Sequence, residues 1–183
     1  MKKQPEITEK TRQMFIEVFC ELYSQKPIEK ISIREIANKS GYNRSTFYQY
    51  FADIYELLDS VENDLLNDIK KELANKELSM HTVQDALYCL DKREHLLVLS
   101  ALLGDYGSTR FLKRIKKEIT LHQLELDVPQ NHSFTPYLIE FYLTTSLSLF
   151  RLWLQRQKDL SSEEFFKLVE NLYSRGITPY FKE

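Results

Sequence analysis

The sequence predicts an all-α protein, and three observations support this. Only four Gly and five Pro occur among 183 residues, so there is little turn material for the many hairpins of an all-β fold. Hydrophobic residues make up 43% of the chain, which is enough to form a buried core. Apolar residues also recur at helical spacing, as Phe15, Val18, Phe19 and Leu22 do. We therefore expect about nine helices.

The first two helices are set by local start and stop signals. The first runs from about Thr8 to Ser24 and ends before Pro27. Ser32 and Glu35 form a capping box, in which the hydroxyl binds a free backbone N–H and the carboxylate reaches back to the cap. A second helix therefore starts there, and it ends near Gly41, since glycine adopts the left-handed conformation without a Cβ penalty.

The third helix is predicted to have one packing face and one exposed face. Asn43 is a favourable N-cap for it. Phe47, Tyr50 and Phe51 share one side at i, i+3 and i+4. The other side carries Arg44, Ser45, Tyr48 and Gln49. One face can then pack against the protein while the other enters a DNA groove.

The residues from Ser32 to Phe51 have the parts of a helix-turn-helix: a supporting helix, a tight turn with glycine, and a second helix with exposed side chains. This stretch, IREIANKSGYNRSTFYQYF, resembles the TetR family of bacterial transcriptional regulators. The resemblance is carried by its Ala-x-x-x-Gly turn and its Phe-Tyr-x-Tyr-Phe ending, and it covers about Thr8 to Leu58. It implies a dimeric, DNA-binding regulator.

The resemblance also implies which residues contact DNA. Ser32 would hold a phosphate at the start of the second helix. Tyr48 and Tyr50 resemble the family's aromatic pair near the DNA backbone, with Tyr48 the better placed. Arg34 and Arg44 are candidates for base reading, because a guanidinium can bond both O6 and N7 of guanine. Weaker contacts are expected from Asn43, Ser45, Thr46 and Gln49. Each of these residues could instead be an ordinary surface residue.

One departure from the family pattern concerns the start of the fourth helix. The family usually has Phe-x-x-Lys there, whose lysine grips a phosphate, but this chain has Ile54 in that place. Asp53 would oppose an anion unless it is occupied as a cap. Affinity is therefore expected to depend more on other lysines, namely Lys2, Lys3, Lys26, Lys30 and Lys39.

The fourth helix is predicted to be long, starting with a second capping box at Asp53 and Glu56 and running to about Leu73. The predicted domains are residues 1–52, the helix-turn-helix DNA-binding domain, and residues 53–183, a helical C-terminal domain for dimerisation and a possible ligand. The remaining helices are predicted at about Thr82–Leu90, Lys92–Leu103, Ser108–Leu126, Pro136–Lys158 and Ser162–Arg175.

Charge and composition restrict the functional classes. The net charge of −2 argues against a protein that coats nucleic acid indiscriminately. Residues 1–51 hold nine Lys and Arg against six Asp and Glu, so only this part is basic. No apolar stretch reaches the roughly 20 residues of a membrane span and none follows the basic start as in a signal peptide, so we expect a cytoplasmic protein. Cys20 and Cys89 suit reduced core thiols rather than a disulfide or metal site.

In the C-terminal domain, the resemblance implies dimerisation through the last two helices, whose apolar content suits this role. The interface residues expected are Leu147, Phe150, Leu154, Phe165, Leu168 and Leu172. The alternative is that these helices fill the chain's own core. Residues that could line a ligand cavity are Tyr88, Leu102, Tyr106, Phe111, His122, Phe141, Tyr142, Thr145 and Trp153. An aromatic stripe at helical spacing is, however, usually core.

These inferences predict a repressor that binds a palindromic DNA operator as a homodimer and is released by a small-molecule ligand, with no cofactor and no metal. A coregulator that acts through a protein partner is the alternative, suggested by Ile54. A small helical enzyme is disfavoured, because the sequence has no HExxH motif, no glycine-rich phosphate loop and no nucleophile elbow.

Overall fold

The computed structural model describes residues 5–74, 95–107, 109–121 and 133–176. Over these residues the chain forms eight α-helices and one 3-10 turn, Ile28–Lys30, and contains no β-strand, which confirms the predicted fold class. The helices are α1 (Pro5–Tyr23), α2 (Ile33–Lys39), α3 (Arg44–Phe47), α4 (Ile54–Ala74), α5 (Leu96–Leu103), α6 (Thr109–Leu121), α7 (Thr135–Gln155) and α8 (Ser162–Arg175).

Most of the predicted helix boundaries lie within a few residues of these, whereas the predicted start at Lys92 and the predicted end at Leu126 lie outside the described residues. The first helix begins three residues before the predicted Thr8, and α7 ends three residues before the predicted Lys158. The helix predicted from Thr82 to Leu90 lies outside the described residues.

The described residues divide into two compact units. Unit 1 contains residues 5–68, 95–107 and 109–115, and unit 2 contains residues 69–74, 116–121 and 133–176. This division by packing differs from the predicted domain boundary at residue 52, which stays a prediction.

An aromatic cluster forms the centre of the first part of unit 1. Phe15 of α1 is fully buried, and its ring centroid lies 5.4 Å from those of Tyr42 and Phe47 and 5.9 Å from that of Tyr50. Tilted and edge-to-face pairs at such distances stabilise a fold by about 0.5–1.5 kcal/mol each beyond the area that they bury. Through these contacts α1 fixes the position of α3 and of the turn that precedes it.

A charged cluster joins α4 to α6 within unit 1. Glu62 of α4 is fully buried, and its Oε2 accepts hydrogen bonds from Arg110 and Arg114 of α6, at 2.9 Å from Arg110 Nη2. Arg110 also binds Asp59, and Arg114 also binds Asn63. The other carboxylate oxygen of Glu62 is buried and has no hydrogen-bond partner among the described residues. A buried carboxylate is stable only when it is paired, so the two arginines hold α6 against α4.

Unit 2 contains a hairpin of α7 and α8 built around Trp153. The Trp153 ring stacks on Phe165 with centroids 4.5 Å apart, and its Nε1 donates to the carbonyl oxygen of Leu160 at 2.8 Å. Between the helices, Gln157 and Lys158 have φ values of 56° and 58°. Two consecutive left-handed residues reverse the chain within a few positions, which lets α8 return along α7.

The start of α8 is a complete capping box. Ser161 Oγ accepts from the backbone N–H of Glu164 at 3.3 Å, and the Glu164 carboxylate accepts from the backbone N–H of Ser161 at 2.9 Å. The hydrogen bonds from Ser161 lower the pKa of Glu164, because they favour its charged form.

One side of α7 in unit 2 is apolar and exposed. Phe134, just before the helix, Tyr137, Phe141 and Leu152 are each more than half exposed. None of the helices in the described part of the chain combines the length and apolar content that crossing a bilayer requires.

Candidate nucleic-acid interface

Only one of the two hydrogen bonds of the predicted capping box is present at the start of α2. Ser32 has extended backbone angles, and its Oγ accepts from the backbone N–H of Glu35 at 3.1 Å. The Glu35 carboxylate does not return to the cap but binds the Lys26 ammonium, at 2.8 and 2.7 Å through its two oxygens. The predicted hydrogen bond from the Ser32 backbone N–H to the Glu35 carboxylate is therefore wrong. The carboxylate binds the Lys26 ammonium instead, because a hydrogen bond between two charged groups is stronger than a hydrogen bond from a neutral N–H.

The turn between α2 and α3 requires glycine. Gly41 has φ +76°, the left-handed conformation expected from the sequence. Its neighbour Tyr42 donates its backbone N–H to the carbonyl oxygen of Ala37 at 2.9 Å and turns its ring onto Phe15. The turn is thus fixed both by the backbone and by the aromatic cluster of unit 1.

Asn43 caps α3 through a single oxygen that accepts three hydrogen bonds. Its Oδ1 accepts from the Thr46 backbone N–H at 2.9 Å, from Thr46 Oγ1 at 2.9 Å and from Ser45 Oγ at 2.6 Å. The predicted cap is confirmed. Because this oxygen and both hydroxyl protons are engaged within the turn, these three residues hold the start of α3 in place.

The two predicted faces of α3 separate in the structure. Phe47 and Phe51 are buried, at 0% and 3% exposure. Arg44, Ser45, Tyr48 and Gln49 are exposed, while Thr46 and Tyr50 are half-buried. Regular α-helix ends at Phe47, however, and residues 48–50 continue as a turn in which Gln49 and Tyr50 donate to carbonyl oxygens three residues earlier.

Arg44 and Tyr48 pair with each other on the exposed face. Arg44 Nη2 donates to Tyr48 Oη at 3.3 Å, and the Arg44 guanidinium carbon lies 6.0 Å from the centre of the Tyr48 ring. Arg34 and Ser32 are also exposed, on α2 and at its cap. All nine predicted DNA-contact residues lie between residues 32 and 50, seven of them on α3 or directly beside it.

The start of α4 carries two carboxylates, Asp53 and Glu56, on either side of Ile54, which stands where the family pattern has a lysine. Asp53 Oδ1 accepts from the backbone N–H of Glu56 at 2.8 Å, and the Glu56 carboxylate accepts from the backbone N–H of Ala52. The Asp53 half of the predicted capping box therefore forms, but the Glu56 carboxylate binds the backbone N–H of Ala52 and not that of the cap residue Asp53. Ile54 is half-buried and Tyr55 is exposed.

The residues predicted to line a ligand cavity fall in different units. Leu102 and Phe111 are buried in unit 1, with Tyr106 exposed, while Phe141, Tyr142 and Thr145 belong to unit 2. Tyr88 and His122 lie outside the described residues. An open groove of about 380 Å³ in unit 1 is lined by other residues, among them Ile16, Asp64, Leu65 and His95.

The residues predicted for a dimer interface differ in exposure. Leu147, Phe150 and Phe165 are buried within unit 2 itself, where Phe150 and Phe165 pack with Trp153. Three others, Leu154, Leu168 and Leu172, are half-buried. The most exposed apolar side chains of α7, Tyr137 and Phe141, were not predicted for this interface, although their i, i+4 spacing was a visible signal.

Sequence reasoning also missed the buried Glu62. This residue lies four positions after Leu58 and three before Leu65, so it occupies the apolar face of α4. A carboxylate on an apolar face signals a buried ion pair, and Arg110 and Arg114, one turn apart, were the matching signal in a distant helix.

Taken together, the capped turn, the buried face of α3 and its exposed polar face define a helix-turn-helix protein. The family model described as bacterial regulatory proteins, tetR family, matches residues 8–61. Residues 8–61 therefore form a helix-turn-helix DNA-binding domain similar to that of the tetR family of bacterial regulatory proteins, which supports a transcription regulator of that kind.

Two solved structures have a similar fold. One is a TetR-family transcriptional regulator from Streptomyces coelicolor, 22% identical, with a TM-score of 0.62, covering 93% of this chain and 83% of the other. The second is a TetR transcriptional regulator from Streptococcus agalactiae 2603V, 19% identical, with a TM-score of 0.63, covering 93% and 97%. At these identities the likeness establishes the fold alone. No match was found among curated proteins.

Proposed function

We propose that this protein represses transcription in the cytoplasm by binding a palindromic DNA operator as a homodimer, and that a small-molecule ligand releases it. The observation that carries the proposal is the exposed face of α3, where Arg44, Tyr48 and Gln49 point away from the buried Phe47 and Phe51. A helix presented in this way fits the major groove, which is about 12 Å wide.

Different residues of this face serve different purposes in the proposal. Arg44 and Arg34 read base edges, because a guanidinium presents several donors in a fixed fork. Ser32 and Tyr48 donate hydroxyl protons to phosphates, while Tyr50, which packs on Phe15, mainly supports the helix. Ser45, Thr46 and Asn43 shape the start of α3 and make only secondary contacts.

The exposed side of α7 supports dimerisation. Tyr137, Phe141 and Leu152 follow one another along this side at 75%, 63% and 51% exposure, with the small residues Thr144 and Ser148 between them. Burying one such aromatic side chain removes about 150–250 Å² from water. We therefore place the partner contact on these outward residues rather than on Leu147, Phe150 and Phe165, and a second copy presents the same surface, as a two-fold interface requires.

Release by a ligand requires that the ligand bind one arrangement of the dimer better than the other. In the proposed mechanism the separation of the two α3 helices matches successive major grooves only in the unliganded state. A ligand with equal affinity for both arrangements would not change DNA binding.

DNA binding is tested with the full-length protein. Operator sequences are selected from random double-stranded DNA, and binding is then measured by fluorescence anisotropy at several salt concentrations. We expect the affinity to fall steeply with salt, with a log-log slope of about −0.9 for each phosphate contact. Arg44→Ala is expected to weaken operator binding at least about tenfold. Arg156→Ala removes an equally charged, exposed arginine from unit 2 and serves as the control.

Dimerisation is tested by analytical ultracentrifugation. Phe141→Glu places a charge in the proposed interface and is expected to give monomers that bind half-sites weakly. Tyr106→Glu changes an exposed aromatic residue of unit 1 and should leave the dimer intact. A Phe141→Glu protein with the mass of an unaltered dimer would refute this interface.

A coregulator that acts through a protein partner is the second candidate, favoured by the start of α4. Asp53 and Glu56 place two carboxylates at this helix N-terminus, and Ile54 supplies no cation. Carboxylates near a DNA backbone weaken its binding. Absence of salt-dependent DNA binding by the dimeric, folded protein would favour this candidate over the repressor.

A further inference from the structure

The Arg44 guanidinium is held in place by the Tyr48 side chain one turn later on the exposed face of α3. The contact has two parts, a hydrogen bond of 3.3 Å from Arg44 Nη2 to Tyr48 Oη and a 6.0 Å approach of the guanidinium carbon to the Tyr48 ring centre. The Tyr48 ring is itself oriented by the protein core. It meets Phe47 edge-on, with centroids 6.0 Å apart and planes at 87°, and Phe47 is fully buried.

We infer that Tyr48 is a positioning residue that holds Arg44 for bidentate reading of a guanine in the operator. The inference rests on the proposed DNA-binding function and names the base that the α3 face recognises. An arginine side chain has several rotatable bonds, and ordering it at a base edge costs conformational entropy. The buried Phe47, through Tyr48, limits that freedom before DNA is bound.

The residues next to Arg44 at the start of α3 are engaged in the helix cap, so we assign the reading of the guanine to Arg44. Asn43 Oδ1 is fully occupied by the cap, and the Ser45 and Thr46 hydroxyl protons point to it. Arg44 uses one of its five N–H groups on Tyr48, which leaves a pair of donors for the O6 and N7 acceptors of guanine.

The Tyr48 hydroxyl can act on both partners at once. Its oxygen accepts from Arg44, so its own proton remains available for a phosphate oxygen. A phosphate in that position would in turn make the hydroxyl oxygen a better acceptor for Arg44. Contact with the DNA backbone and reading of the base are thereby linked through one side chain.

The experiment measures base preference rather than affinity alone. Starting from the operator selected by the unaltered protein, each base pair of both half-sites is changed in turn, keeping the two halves identical. Dissociation constants are measured by anisotropy for the unaltered protein, Arg44→Ala, Tyr48→Phe, Tyr48→Leu and the Arg44→Ala, Tyr48→Leu double variant. Circular dichroism and ultracentrifugation confirm that each variant is a folded dimer.

The inference expects one G·C pair per half-site to be preferred by about ten- to a hundredfold in the unaltered protein. Arg44→Ala abolishes that preference. Tyr48→Leu lowers the guanine preference at the same base pair and at no other. Tyr48→Phe lowers this preference less, because the ring remains. The double variant discriminates between bases no worse than Arg44→Ala does.

Two results would overturn the inference, and they are distinguishable. If Tyr48→Leu weakens binding to every operator equally and keeps the guanine preference, Tyr48 contacts only the backbone and does not position Arg44. If the unaltered protein binds no DNA in a salt-dependent manner, the proposed function fails and this inference fails with it.

Discussion

The buried Glu62 allows a direct test of whether its ion pairs with Arg110 and Arg114 hold α4 and α6 together. Replacing both of its partners, as Arg110→Met and Arg114→Met, leaves a carboxylate at 0% exposure without a cation. Breaking a buried ion pair by removing one side costs about 3–5 kcal/mol. The two arginine side chains are 51% and 32% exposed, so water reaches the pair and the expected loss is smaller, about 2–3 kcal/mol.

The loss is measured by urea unfolding followed by far-UV circular dichroism at fixed protein concentration, since the proposed dimer would unfold in a concentration-dependent way. In a thermal scan it corresponds to roughly 5–10 °C for a chain of this size. Arg114→Met alone should cost only about 1 kcal/mol, because Arg110 still binds Glu62. Lys113→Met, which removes an exposed charge from the same helix, should change stability by less than about 0.5 kcal/mol.

Adding Glu62→Leu to the double variant provides the decisive comparison. With no buried carboxylate left to neutralise, most of the lost stability should return. The reasoning is refuted if the double variant is as stable as the Lys113→Met control, or if Glu62→Leu in its background destabilises further.

Two further predictions concern the DNA-binding segment and α1. Gly41→Ala should destabilise the protein by about 1 kcal/mol, because φ +76° strains any residue with a Cβ, although no atom lies within 4 Å of the added Cβ. Gly41→Asn should lose less stability. Thermal scans that rank the two variants in the opposite order would contradict this prediction. Burial, followed by the charges of Glu17 and Glu21, raises the pKa of Cys20 to about 12, so at pH 8 roughly 1 molecule in 10,000 carries the thiolate. In a Cys89→Ser protein, folded Cys20 should therefore react with a disulfide reagent orders of magnitude more slowly than in urea, whereas equal rates would show that this thiol is accessible.

Local signals in the sequence predicted the helix-turn-helix well. Asn43 as a cap, Gly41 in the left-handed conformation and the inward Phe47 and Phe51 were all read correctly. Each depends on partners within about four residues or on one helical period, which a linear sequence displays directly.

Interactions between distant residues could not be predicted in this way. Glu35 matched the pattern of a capping box, but Lys26, nine residues earlier, competes successfully for its carboxylate. Glu62 finds its partners about 50 residues away, at Arg110 and Arg114. Which of two possible partners a carboxylate binds depends on how the helices pack, and the charge pattern of the sequence alone does not specify the packing.

The apolar side chains of α7 illustrate the same limit. The sequence shows that this helix is rich in apolar residues, but not which of them the chain covers itself. Phe150 lies against Trp153 and Phe165, whereas Phe141, a little more than two turns earlier on the same helix, is left 63% exposed. The difference comes from where α8 packs, and α8 is positioned by the reversal at Gln157 and Lys158.

The position of Trp153 gives the protein a built-in optical probe. It is the single tryptophan of the chain, buried at 2% exposure, stacked on Phe165 and approached by the Lys158 ammonium at 4.7 Å from its ring. Emission from a shielded indole next to a cation shifts when either neighbour moves. Any rearrangement of the α7–α8 hairpin, whether caused by a second subunit or by a small molecule, can therefore be followed in the unlabelled protein from the colour and intensity of one fluorophore.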